Sequence, residues 1–315
     1  MTKAPTNIGA SVRARLLRLA RERGEDFQLL VTSYANERLL YRLAVSSHAS
    51  RFVLKGAALF TLWTGKPHRA TRDLDLLGFG DPSEAHVRSV FADVLALYVG
   101  DDGVKFDSGS LQVGPIREEQ EYGGVRVVVI AQVTSARVRL QIDVGFGDAI
   151  TPNAVAVDFP PLLDFPAPRL LAYPRETVVA EKLEAMVQLG LASSRMKDFY
   201  DLVVLSRMFE FDGDLLVRAV RATFERRGTP LPMDLPLALT PAFATDRIKT
   251  TQWTGFVRKS GAGDVGDLPA AVADITGFAK EPLAAAANGA RFPGTLASGR
   301  ALGVASTGIL TLSAS

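Results

Sequence analysis

The 315-residue chain contains no cysteine, which excludes disulfides, Cys-ligated zinc, iron–sulfur clusters and thiol catalysis. Histidine is nearly as scarce. His48, His68 and His86 have no spacing partners, so a His-rich metal site or a serine-type triad is not expected. Long apolar runs are missing as well: no stretch of about 18 such residues passes without a charge or turn residue, so no membrane span is expected. Neither sign of charge dominates. Thirty-six Lys plus Arg against 34 Asp plus Glu leave a net charge of +2, which argues against indiscriminate nucleic-acid binding but leaves room for a local basic patch. The first residues do not read as a basic-then-apolar leader, and cytoplasmic placement is the expectation. What is present is a globular composition, 47 % hydrophobic and 22 % charged. Chemistry in such a chain rests on carboxylates, lysines and oxygen-preferring metals.

The periodicity predicts an α+β body followed by a helical one. Residues 10–23 are helical, with Val12, Leu16 and Leu19 on one face and Arg13, Arg15, Arg18, Arg21 and Arg23 around the rest. That arginine set reads either as a solvated face or as a surface for nucleic-acid phosphate. A second helix is expected over 27–43, a buried strand at 51–55, a short helix after Gly56 and a strand over 72–79. A helix over 84–98 and a hairpin turning at Thr134-Ser135 follow. In its second strand Val138, Leu140, Ile142 and Val144 face one way, and Arg137, Arg139, Gln141 and Asp143 the other. The prolines of 151–174 predict a rigid connector without regular structure. Helices are expected over 175–190, 195–210, 213–227, 245–259 and, weakly, 267–280, with a poorly packed Ala/Gly/Ser/Thr tail from Ala284. The expected domains are N-terminal helices (1–48), an α+β domain (49–170), a helical domain (171–283) and a low-complexity tail (284–315).

Asp73-Leu74-Asp75 stands out. On a strand, alternation puts both carboxylates on one face and sends Leu74 and Leu76 to the core. Two like charges about 7 Å apart along a strand call for compensation, which a divalent cation provides. Asp143, on the polar face of another strand, joins them if the two strands are neighbours. Three such oxygens with open positions suit Mg²⁺ and a phosphate substrate. Arg69, Thr71 and Arg72 immediately precede the pair, and the preceding strand, Gly56 turn and short helix could bring backbone N–H groups to a polyphosphate.

Two helices carry the other charged set. Val179, Leu183 and Val187 form an apolar row, whereas in the adjacent row of Val178, Lys182 and Met186 a lysine intrudes. It either reaches water from the stripe's edge or projects into a cleft to hold a phosphate. On the next helix Asp198 and Asp201 lie one turn apart on one face, with Lys182, Arg195 and Lys197 as candidate counter-charges. They form either an ion-pair network pinning two helices together or a second charged shell of the site. Phe52, Phe60, Trp63, Phe199 and Tyr200 read as core; Trp253, among Arg247, Lys249, Arg258 and Lys259, could touch nucleic acid.

Three segments in order, LKGAALFTLWTGKPHRATRDLDLLGFGD, LQIDVGFGD and ETVVAEKLEAMVQLGLASSRMKDFYDL, resemble the AbiEii/AbiGii toxin family of nucleotidyltransferases, which includes the MenT toxins. The resemblance covers about residues 45–280. It implies a polymerase-β-like nucleotidyltransferase domain with a mixed sheet, a following helical domain and a nucleotide in the cleft between them. Carried over, Asp73 and Asp75 become metal ligands and Lys182 the triphosphate-binding lysine. Asp198 and Asp201 hold the downstream acidic motif, and Asp143 matches a third strand carboxylate. Lys55, Gly56, Ala57, Arg69, Thr71, Arg195 and Lys197 are the positions expected around the nucleotide. Many members of the wider superfamily have Gly-Gly or Gly-Ser where this chain has Gly56-Ala57, which leaves phosphate contact there to backbone N–H groups. The implied function is a Mg²⁺-dependent toxin that transfers nucleotides from a nucleoside triphosphate to RNA, at the tRNA 3′ end, and inhibits translation. The implied partner is a cognate, AbiEi-like antitoxin. A protein or small-molecule hydroxyl as acceptor, or a non-catalytic nucleotide-binding module, are the alternatives.

Overall fold

The computed structural model describes residues 7–116, 123–261 and 265–297. The chain divides into two compact units between Val178 and Val179.

The first unit opens with α1 (Ile8–Arg23), capped by the Asn7 side chain and ended by Gly24 in the left-handed region, and α2 (Phe27–Val45), capped by Asp26. It continues with β1 (Phe52–Lys55), α3 (Ala58–Thr64), β2 (Asp73–Gly78), α4 (Glu84–Ala96) and β3 (Val104–Pro115). Then come β4 (Val125–Val133), β5 (Ala136–Phe146), β6 (Val155–Asp158), β7 (Arg169–Ala172) and the start of α5 (Arg175–Leu189). The seven strands make one mixed sheet in the order β3-β4-β5-β2-β1-β7-β6. β1 runs antiparallel to β2 and parallel to β7, while β2 runs parallel to β5.

Alternation decides which side chains enter the core. Leu54, Leu74, Leu76, Val127, Val129, Leu140, Ile142 and Val144 are buried on one face, where α2 and α4 pack. The helix over 10–23, the strands at 51–55 and 72–79 and the hairpin at Thr134-Ser135 all form. β3, which alternation did not reveal, is an edge strand with a register shift between Asp107 and Gln112, and half of its residues are exposed. The Pro-rich segment 151–174 departs from the expected irregular connector. Its prolines flank β6 and β7 rather than interrupting them, so both short strands form at the sheet edge.

The rest of α5 opens the second unit, followed by α6 (Met196–Met208), β8 (Phe211–Asp212), α7 (Gly213–Arg227) and α8 (Pro241–Ala244). It ends with α9 (Arg247–Ser260), α10 (Leu268–Ala287) and β9 (Thr295–Leu296). α6 is the central rod: Phe199, Leu202, Val203, Val204 and Leu205 are buried, and Phe199 stacks on Phe243 at 5.0 Å. Trp253 belongs to this core. It is 2 % exposed and donates Nε1–H to the Gly266 carbonyl at 3.0 Å, which removes it as a nucleic-acid platform. The segment expected as tail from Ala284 is ordered over its first part. The alanine run extends α10 to Ala287, and Thr295–Leu296 pairs with Phe211–Asp212. Residues 298–315 of that expected tail lie outside the described residues.

Candidate active site

The register across the first unit's sheet assembles a row of charges. Lys55 on β1 stands opposite Asp75 on β2, Asp75 opposite Asp143 on β5, and Asp143 opposite Arg126 on β4. Neighbouring strands lie about 4.8 Å apart, so two carboxylates sit side by side with a cation on each flank. Asp73 occupies the next row on the same face, opposite Gln141. Asp73 is exposed and Asp75 half-buried. The flanking cations are anchored. Lys55 Nζ donates to Asp148 Oδ2 at 2.7 Å, and Arg126 donates through Nε and Nη2 to both Asp143 oxygens at 2.8 Å.

Gly56 shapes this site by having no side chain. Its φ is +74°, and a Cβ there would fall 2.0 Å from Asp75 Oδ2. The Asp75 carboxylate therefore lies against the backbone of the turn between β1 and α3, a closeness that only glycine permits. Ala57 is buried at the start of α3, Thr71 Oγ1 donates to the Asp73 carbonyl at 3.4 Å, and Arg69 is half-buried.

Asp148 and Arg126 were not singled out in the sequence. The signal for Arg126 was available. In a hairpin turning at Thr134-Ser135, eight steps back along β4 and eight forward along β5 bring Arg126 and Asp143 together. Asp148 follows the end of β5, where alternation no longer predicts direction.

The second unit holds Lys182, Asp198, Asp201 and Arg195 in one cluster. Lys182 Nζ donates to Asp198 Oδ1 at 2.7 Å and to Asp201 Oδ2 at 2.8 Å; Arg195 Nε donates to Asp198 Oδ2 at 2.6 Å. The two carboxylates are buried, and the lysine side chain is 13 % exposed. Burial alone would lower the Lys182 pKa, but Asp198 and then Asp201 outweigh it and hold it above the ordinary lysine value. Burial likewise pushes Asp198 up, and Lys182 and Arg195 reverse this to hold it below the usual carboxylate range. Lys197 is exposed beside them. The cluster joins α5 and α6 as an ion-pair network.

Among the described residues, no group of three or more His, Asp or Glu side chains is gathered so as to hold a metal ion. Asp143, the third carboxylate expected, has both oxygens on Arg126. The donor set of Asp73 and Asp75 nevertheless fits a divalent cation. It offers hard oxygens on one strand face, and Mg²⁺ takes few protein ligands and completes its shell from water and substrate phosphate. Among the described residues no helix is long and apolar enough to cross a membrane.

A sequence model described as the nucleotidyl transferase AbiEii toxin of type IV toxin–antitoxin systems matches residues 38–273. No curated protein matches the chain. Among solved structures, JHP933 from Helicobacter pylori is similar with a TM-score of 0.50 and 13 % identity, over 84 % of this chain and 95 % of that one. Another, called a "putative nucleotidyltransferase from H. pylori", is similar with a TM-score of 0.50 and 14 % identity, over 84 % and 98 %. At such identities these likenesses speak for the fold alone. The match over most of the chain, on a fold that carries the Asp-x-Asp pair on one sheet face, makes this chain a nucleotidyltransferase belonging to the AbiEii toxin family of type IV toxin–antitoxin systems.

Proposed function

We propose that the chain transfers a nucleotide from a nucleoside triphosphate to the 3′ hydroxyl of an RNA, the tRNA acceptor end, and thereby inhibits translation in the cytoplasm. The observation that carries this reading is the Asp73–Asp75 pair, set on one face of β2 with Asp75 against the Gly56 turn. The RNA acceptor rests on the sequence resemblance described above.

In this reading Asp73 and Asp75 would hold Mg²⁺, which would lower the pKa of the attacking hydroxyl and offset charge on the phosphates. The hydroxyl oxygen forms a bond to the α-phosphorus, the bond from that phosphorus to the bridging oxygen breaks, and pyrophosphate leaves. A carboxylate oxygen of the Asp73–Asp75 pair receives the proton. Lys55, bonded to Asp148, and Arg126, bonded to both oxygens of Asp143, flank the Asp75–Asp143 pair in the charge row. The resemblance assigns Lys182 to the triphosphate; within the second unit its ammonium is held by Asp198 and Asp201, with Arg195 on Asp198 and Lys197 nearby. In the first unit Arg69 and Thr71 are the polar side chains offered next to the Asp73–Asp75 pair. The cognate antitoxin is of the AbiEi-like kind.

The test is incubation of the purified protein with each labelled nucleoside triphosphate, Mg²⁺ and total tRNA. Label on the tRNA is expected. Label on protein or on a small molecule, with RNA unlabelled, moves the acceptor to another class. Bound nucleotide with no label transferred anywhere refutes the catalytic reading.

A further inference from the structure

We propose that the outward face of α1 is the docking surface for the phosphate backbone of the RNA acceptor; this rests on the RNA reading above and goes beyond it. The helix is fixed in place. Val12, Leu16 and Ala20 are buried, both ends are capped, and Arg15 is tied to Asp164 at 2.7 Å. Its outer face is therefore presented rigidly.

That face is an arginine surface. α1 carries five arginines against Glu22, a net +4 on one helix of a chain whose total is +2. Arg13, Arg18 and Arg21 are exposed. At 100° and about 1.5 Å per residue they share an arc of about 140° along about 12 Å of helix. The fold makes little use of them. Arg18 meets Glu22 at 3.6 Å across two exposed side chains, and the Arg13 guanidinium lies 5.7 Å from the Phe27 ring. An exposed pair of that kind contributes little stability. All five cations are arginines, whose planar guanidinium matches phosphate through paired hydrogen bonds.

A polynucleotide suits this face better than a protein. Among the described residues, none of the exposed large apolar side chains lies on α1, so the face lacks the apolar centre of a protein interface. The three exposed arginines are spread along about 12 Å of helix, which matches a repeating row of phosphates rather than one. α1 precedes the family match, which begins at residue 38.

The experiment compares wild type, R13Q/R18Q/R21Q and R13K/R18K/R21K for tRNA binding across a salt series, with KM and kcat for each substrate. Neutralising three phosphate contacts should make the slope of log K against log salt shallower by about 2 to 3. KM for RNA should rise at least tenfold, with kcat, KM for the nucleotide and thermal stability unchanged. The lysine variant should keep the wild-type slope. If wild type binds tRNA and the glutamine variant matches it in affinity and slope, the α1 surface is refuted while the RNA acceptor stands. If wild type binds no RNA, the acceptor reading falls and this inference with it. If the glutamine variant loses the antitoxin but not tRNA, the helix serves a protein partner and the proposal is overturned.

Discussion

Among the described glycines, a Cβ would meet its nearest neighbour at the shortest distance at Gly56, against Asp75. The glycine adopts φ +74° and leaves no room for a Cβ beside the carboxylate. Gly56→Ala should therefore displace Asp75 as well as strain the turn. We expect activity to fall at least 100-fold, with stability lowered by about 1 to 3 kcal/mol, the cost of a non-glycine residue forced into a strained backbone. Steady-state pyrophosphate release and thermal unfolding measure the two effects, and wild-type activity in the alanine variant would remove the turn from the site. The Asp-x-Asp motif, its alternation and its glycine turn were legible in the sequence because they are local. Asp148 was not, since its meeting with Lys55 depends on where the chain goes after β5.

The ion cluster on α5 and α6 gives the clearest case at the level of elements. Sequence spacing put Asp198 and Asp201 on one helix face and Lys182 in an apolar row, but it could not decide between a cleft lysine and a buried bridge. The structure has the ammonium between both carboxylates. Lys182→Ala would leave two buried carboxylates without their main partner and should destabilise the second unit by about 3 to 5 kcal/mol. Denaturant unfolding followed by unit-resolved hydrogen exchange reads this. An unchanged second unit would show that the bridge carries no stability. The prolines of 151–174 teach a related lesson. Their number suggested irregular chain, yet proline is compatible with the ends of edge strands, and position rather than count decides.

The two units should differ in how they respond to pH. In the first, burial lifts the Glu37 carboxyl to about 7 from 4.5, against the Leu162 N–H and Arg38, which lower it, while Asp102 adds to the rise. The native state then holds a proton that the unfolded chain has released, so this group's contribution falls as pH rises from 4.5 to 7. In the second, Asp198 is depressed below 3.8, so its stabilisation is present above that value and lost as pH drops through the lower native pKa. Lys182 is raised above 10.5, so its contribution holds below that and disappears at higher pH. Hydrogen exchange should show the first unit loosening between pH 4.5 and 7 while the second stays level, and Glu37→Gln should remove that slope. Parallel profiles in both units, or an unchanged slope in the variant, would contradict the assignment.

Labelled nucleotide transfer by three proteins tests most directly which carboxylates carry the chemistry. Wild type and Asp143→Asn should both transfer label, the variant within about tenfold because Asp143 serves to hold Arg126, whereas Asp75→Asn should lose at least 1000-fold, the scale of removing a charge that acts in the transition state. An active Asp75→Asn enzyme, or an Asp143→Asn enzyme that is stably folded and equally dead, would contradict it.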